Sequence, residues 1–174
     1  MSKTTWALDP AHSEIQFKVK HMMIATVTGK FDRFNVEVAA DGDDFNNADI
    51  SFSAETASVN TGNEQRDGHL RSGDFFDAEA HPNLSFKATS YDAANSTLKG
   101  DLTIKNITKP VTLEAEFGGI GKDPWGNTKA GFTLAGKINR KEWDLNWNAA
   151  LETGGVLVSE DVKLLGEIQL VKAA

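Results

Sequence analysis

Apolar and polar residues alternate one by one along most of this chain, and a period of two is the pattern of a strand that buries only one face. In "EIQFKVK", Ile15, Phe17 and Val19 point one way while Glu14, Gln16, Lys18 and Lys20 point the other. "LSFKATSY" sets Leu84, Phe86 and Ala88 against Ser85, Lys87 and Thr89, and "VTLEAEF" sets Val111, Leu113, Ala115 and Phe117 against Thr112, Glu114 and Glu116. "LKGDLTI", "FTLAGKIN" and "VKLLGEIQL" continue the series. Turn-forming residues separate the runs at "DGDD" (41–44), "DAANS" (92–96), "KDPWGN" (122–127) and "TGG" (153–155). The result is an all-β chain of roughly eight strands, each with one polar and one apolar face, which is the antiparallel signature.

Such strands have two common solutions, a closed barrel or a sandwich of two sheets. A barrel of about eight strands is either filled by its own side chains or holds one small ligand, as lipocalins do. Ala88, Gly100, Ala115, Gly136 and Gly166 put small residues on inward faces. They leave a lumen, or they relieve crowding where strands bend.

The alternation stops at 55–80, "ETASVNTGNEQRDGHLRSGDFFDAEA". A short helix over 64–71 is expected inside this connection, and long connections in compact domains tend to be lids or cavity mouths. Phe75 and Phe76 are adjacent there, which strand alternation does not explain, so they are expected to close one end of a cavity. "NAALE" (148–152) is a second helix-compatible piece. "GGIGKD" (118–123) leads into a Pro-Trp-Gly turn rather than a helix, so it is expected to be a loop and not a phosphate cradle. Nothing resembles a linker or an internal repeat, and residues 1–174 read as a single domain.

The chain carries 25 acidic against 18 basic residues, a formal charge of −7, with the basic residues dispersed. That balance argues against nucleic acid and against anionic membrane surfaces as partners. There is no cysteine, hence no disulfide, thiolate metal site or cysteine nucleophile. No apolar run is long enough to span a bilayer. "MSKTTWALD" has no apolar signal core, so a cytoplasmic location is expected, or a periplasmic one had an export signal been removed from the front.

The four histidines are His12, His21, His69 and His81, and none has a second histidine two residues away on the same strand face. His12 and His21 bracket the first long strand, about 30 Å apart if it is extended. They are read as strand-end hydrogen-bond partners, His21 close to a pocket opening, and no metal site is assigned. Nucleophile-elbow, zincin, P-loop and dinucleotide patterns are all missing, so no catalytic residue and no cofactor is assigned.

Several segments carry a resemblance. "WALDPAHSEIQFKVKHMMIATVTGKF", "RDGHLRSGDFF" followed by "HPNLSF", "GDLTIKNITKPVTL" and "GFTLAGKINRKEWDLNW" occur in order over nearly the whole chain. Together they resemble the YceI family of lipocalin-like bacterial proteins. Trp143-Asp144 stands where Phe-Gly is commoner in that family. The resemblance implies an eight-stranded antiparallel lipocalin-like β-barrel with one or two short helices in its connections and an elongated apolar interior. It also implies frequent homodimerisation, export of many members, and no general catalytic activity. The implied ligands are polyisoprenoids, isoprenoid quinone-type molecules and long-chain fatty amides.

The reading that follows is binding, transport or storage of a long-chain apolar molecule: a polyisoprenoid, an isoprenoid quinone, or a fatty acid or amide. Phe17, Val19, Phe31, Phe86, Leu102, Ile104, Leu113 and Trp147 are the expected lining, with Phe75 and Phe76 closing one end. His21, Arg66 and Arg140 are the candidates for a polar head group. Two rivals stand beside it. One is an enzyme using His21 and Asp67 as acid and base; the other is a barrel packed solid that works through its surface.

Overall fold

The last long strand returns to the first, and that contact decides between barrel and sandwich. A computed structural model describes residues 3–22, 24–146, 148 and 158–173. The strands are β1 (Thr4–Leu8), β2 (Glu14–His21), β3 (Ala25–Phe31), β4 (Phe34–Asp41), β5 (Asp44–Glu55), β6 (Val59–Asn60), β7 (Asn83–Asp92), β8 (Thr97–Ile104), β9 (Ile107–Lys122), β10 (Thr128–Asn139) and β11 (Val158–Lys172). One α-helix, α1 (Glu64–Arg71), and three short 3-10 turns at Pro10–His12, Thr56–Ser58 and Arg140–Trp143 complete the description.

β11 pairs with β10 on one side and with both β1 and β2 on the other, Leu8 opposite Leu170 and Phe17 opposite Leu164. β1 and β2 therefore share one lane, and β4 and β3, their respective partners, share the next. With β6 a two-residue ladder on β3, the segments make a closed antiparallel barrel of eight lanes. Closure pairs the backbone groups of both outer lanes and leaves no long exposed edge.

Both shared lanes break where a side chain replaces the lost ladder. Between β1 and β2, Pro10 starts the 3-10 turn and the Asp9 carboxylate accepts from the Ala11 N–H at 3.1 Å. The same carboxylate takes the Lys129 ammonium at 2.5 Å and faces His12 Nδ1 at 2.8 Å, stitching the break to β10. The hydrogen bond from Lys129, then that from His12, holds the Asp9 carboxyl down at about 2. His12 is thus the structural cap expected of it. Between β3 and β4, Ser58 bridges the gap: its carbonyl accepts from Asp32 N–H at 3.0 Å and its hydroxyl oxygen from Arg33 N–H at 3.0 Å.

One local expectation needs correcting. Residues 118–122 are not a loop but the end of β9, paired with β10 as Gly119 with Gly131 and Ile120 with Ala130. A register shift falls beside Gly119, whose φ of +112° suits glycine, so the glycines serve a bulge within a ladder. The motif containing Trp143-Asp144 also leaves the strand: Asp144 caps the last 3-10 turn in the left-handed region, φ +61°, where glycine is unstrained. One turn escaped the reading altogether, the two-residue hairpin Lys105-Asn106 joining β8 to β9, with φ of +54° and +64° as a type I′ turn requires. The helix expected over 64–71 is α1 itself. The turn at 153–155, and all of "NAALE" but Asn148, lie outside the described residues.

Candidate functional site

The two ends of the barrel differ in chemistry. At the end holding the β4–β5, β7–β8 and β9–β10 hairpins, inward residues are aromatic and meet across the axis. Trp6 lies 5.1 Å from Phe45, Phe45 lies 5.5 Å from Phe117 and 5.1 Å from Phe132, and Tyr91 packs edge-on against Phe132 at 6.1 Å. Trp6 is wholly buried, and its indole N–H donates to the Gly42 carbonyl at 3.1 Å. The Tyr91 hydroxyl donates to the Ala115 carbonyl at 2.8 Å, and burial pushes its pKa above the usual phenol value. Each polar tip in this floor is satisfied, so burying it costs little.

Above the floor the core is hollow. A cavity of about 660 Å³ runs up to the opposite end, within the usual span of ligand sites. Phe17, Val19, Phe31, Phe86, Leu102, Ile104 and Leu113, expected from their strand faces to line a lumen, all stand on its wall. Trp147, the remaining expected wall residue, lies outside the described residues.

What keeps the wall thin is the pairing of large side chains with glycines. A Cβ at Gly29, directly opposite Phe17, would stand 2.3 Å from the Phe17 ring, and one at Gly136 would stand 2.3 Å from Leu113 Cδ2. Each large side chain lies flat over the bare backbone of its neighbour instead of pointing down the axis. Gly100 and Gly166 play the same part beneath Phe86 and Ile15. The small inward residues thus keep the tube open by giving their neighbours somewhere to lie.

The mouth is polar. Asn63 caps α1 by accepting from the Arg66 N–H at 3.0 Å, and Gln65, Arg66, His69 and Leu70 follow on one helix face toward the cavity. The chain then folds back so that Phe76 meets Phe31 at 5.7 Å and Phe75 meets His69 at 5.1 Å, both phenylalanines buried and on the cavity wall near its open end. The Arg66 guanidinium is steadied by Thr61, its Nε donating to Oγ1 at 2.7 Å and its Nη2 to the carbonyl at 2.8 Å. Arg140 is only 3% exposed. Its Nε donates to the Ser159 carbonyl at 2.9 Å, its Nη2 to the Val158 carbonyl at 3.3 Å, and its Nη1 to the Leu145 carbonyl. Burial lowers its pKa, against the field of Glu160. His21 is the register partner of Val158, so it shares this side of the mouth with Arg140.

The acid–base pair imagined for an enzyme is not assembled. His21 lines the cavity, but the buried Asp67 carboxylate accepts from the Thr61 N–H at 2.9 Å and from its hydroxyl at 2.5 Å, and it is not on the wall. Among the described residues no group of three or more His, Asp and Glu stands ready to hold a metal ion, and no helix is long and apolar enough to cross a membrane.

The strand reading missed the floor: Trp6 sits on a strand whose inward face was not traced, and Tyr91 lies past a register shift between Ala88 and Ser90 that reverses the alternation of Leu84, Phe86 and Ala88. It also missed Gln65, His69 and Leu70. Their spacing at i, i+4 and i+5 along a helix already expected there is a signal that would have found them.

Comparison with known proteins agrees with this architecture. The YceI-like domain profile matches residues 6–170. A UPF0312 protein of Staphylococcus aureus (strain USA300) is 42% identical over 161 residues, covering 92% of this chain and 93% of its own. Among solved structures, a Campylobacter jejuni YceI protein superposes with a TM-score of 0.75 at 31% identity, covering 89% of this chain and 90% of its own. Burkholderia cenocepacia BcnA superposes with a TM-score of 0.79 at 21% identity, covering 93% and 98%. A Saccharophagus degradans domain described as polyisoprenoid-binding and implicated in plant cell wall breakdown does so with a TM-score of 0.66 at 14% identity, covering 97% and 98%. With the profile spanning residues 6–170 and the Staphylococcus relative matching over 92% of this chain, this chain belongs to the YceI family.

Proposed function

We propose that the barrel binds, and so transports or stores, a single long-chain apolar molecule with its tail toward the aromatic floor and its head at the mouth. The observation carrying this reading is the blind apolar tube of about 660 Å³. If each methylene takes roughly the 30 Å³ share of a water molecule, the tube accepts a chain of about 20 carbons. At about 0.8 kcal/mol per methylene removed from water, such a chain has driving force to spare, even after the cost of ordering it. The Saccharophagus domain described as polyisoprenoid-binding supports an apolar cargo on this fold.

In this reading the tail lies along Phe17, Val19, Phe31, Phe86, Leu102, Ile104 and Leu113, while Phe75 and Phe76 grip it near the opening. His21, Arg66 and Arg140 meet the head. Binding is the role this reading assigns, and the commitment of Asp67 to Thr61 removes the acid–base partner considered for His21. The test is native mass spectrometry of the protein purified from its own host, followed by solvent extraction and lipid identification. One long-chain molecule per barrel is the expected result. Protein that emerges empty, and then takes up neither a fluorescent fatty acyl nor a prenyl probe, overturns the proposal.

A further inference from the structure

Among the described residues, the four arginines divide by position. Arg33 and Arg71, away from the cavity, each hold a carboxylate, Glu55 and Glu64 respectively. Arg66 and Arg140, on the cavity wall, hold none. The asymmetry extends to the whole wall. The chain has 25 acidic residues against 18 basic ones, yet no described residue lining the cavity is Asp or Glu. Facing the lumen or its mouth are Arg66, Arg140, His21 and His69, with Lys20 at the outer rim. No carboxylate near the mouth touches either arginine: Asp74 takes His69 at 2.9 Å, Asp67 stands behind the Thr61 hydroxyl that holds Arg66, and Glu160, whose field reaches Arg140, bonds Lys141 at 2.8 Å.

We infer that the occupant of the tube ends in an anion, a carboxylate or a phosphate, which Arg140 and Arg66 receive at the mouth. The inference rests on the carrier reading above and names the class of head group. A buried guanidinium with no carboxylate in contact is costly, because carbonyl dipoles and the more distant Glu160 replace only part of its hydration. Arg140 gives three of its five N–H groups to carbonyls, so one N–H on each terminal nitrogen has no acceptor among the described residues. Two donors in a rigid plane are the arrangement that grips a carboxylate or phosphate by two oxygens. Arg66, pinned by Thr61 through Nε and Nη2, leaves Nη1 for the same anion. An uncharged amide or quinone would accept a hydrogen bond there but leave Arg140 with only the distant charge of Glu160.

The experiment is displacement of a fluorescent probe from lipid-stripped protein by stearic acid, octadecyl phosphate, methyl stearate, stearamide and octadecanol, at low and high salt. Acid or phosphate is expected to bind about 10- to 100-fold more tightly than the neutral compounds of equal length, as a charge-assisted pair would give, with the gap narrowing in salt. Whichever of acid and phosphate binds more tightly identifies the source of the charge. In Arg66→Gln the acid-to-alcohol ratio should fall severalfold, and in Arg140→Lys, which keeps the charge but loses the fork, it should fall again. If Arg140→Lys does not fold, Arg66→Gln and the ligand series decide the matter. Equal binding of acid, ester and alcohol overturns the anionic head while sparing the carrier reading. Binding of none overturns both.

Discussion

Replacing Gly29 with alanine tests the idea that the lumen is kept open by rings lying over bare backbone. The new methyl would stand 2.3 Å from Phe17 Cζ and 2.8 Å from both ε carbons, far inside the roughly 3.5–4.0 Å at which carbons rest. β3 cannot retreat, because Gly29 is flanked by the paired residues Thr28 with Lys18 and Lys30 with Gln16. The Phe17 ring must therefore swing into the tube, leaving its contact with Phe31 at 5.7 Å. Overpacking of this kind costs about 1–3 kcal/mol, and the lost ring pair about 0.5–1.5 kcal/mol more. Against these stands a gain of about 0.5–1 kcal/mol from replacing glycine in a strand. The net loss of roughly 0.5–4 kcal/mol corresponds to a melting temperature lower by about 1–16 °C in a domain of this size. Urea unfolding of lipid-stripped protein would measure the stability, and probe titration would show weakened binding as the ring occupies the tube. Adding Phe17→Leu should restore most of both, with a coupling energy of at least about 1 kcal/mol in the double-mutant cycle. Undiminished stability and binding in Gly29→Ala, or simple additivity with Phe17→Leu, would refute the reasoning.

Three further outcomes are expected. Across a homologous series of fatty acids, affinity should rise by about 0.8 kcal/mol, roughly fourfold, per methylene and level off near 20 carbons, measured by calorimetry. Phe132→Ala, which removes the ring meeting Phe45, Phe117 and Tyr91, should cost about 3–5 kcal/mol and move that plateau to longer chains as the floor drops. The Asp9 carboxyl, held at about 2 against an unperturbed 3.8, stabilises the fold above pH 4, and the benefit is lost as pH falls toward 2. The shift corresponds to about 2.4 kcal/mol before solvent screening and about 1–2 kcal/mol after it, so Asp9→Asn should unfold at lower urea at pH 7, with the difference closing near pH 2.

The wall of the tube was legible because its strands bury one face each, so alternation along a single run names the inward residues: Phe17, Phe86 and Leu113 needed nothing more. Which phenylalanines line and which seal was not legible. That depends on register across lanes, such as Phe132 opposite Phe117, and alternation within one strand carries no register. Residues 118–122 hid their strand because glycines present no side chain to alternate, although their backbone rejoins the ladder after the bulge. The Lys105-Asn106 turn hid because it lacks the glycine that usually marks such hairpins. The charge pattern of the mouth was half visible. Arg66 and Arg140 were singled out as head-group candidates, but the absence of carboxylate partners needed the folded chain, where Arg33 finds Glu55 some 22 residues away.

The sealed aromatic floor makes the barrel a cul-de-sac. Cargo held as proposed enters tail first and leaves head first by the same opening, so there is no through-traffic. Whatever supplies the molecule and whatever takes it away must then visit one rim in turn, and a visitor docked there corks the vessel against every other.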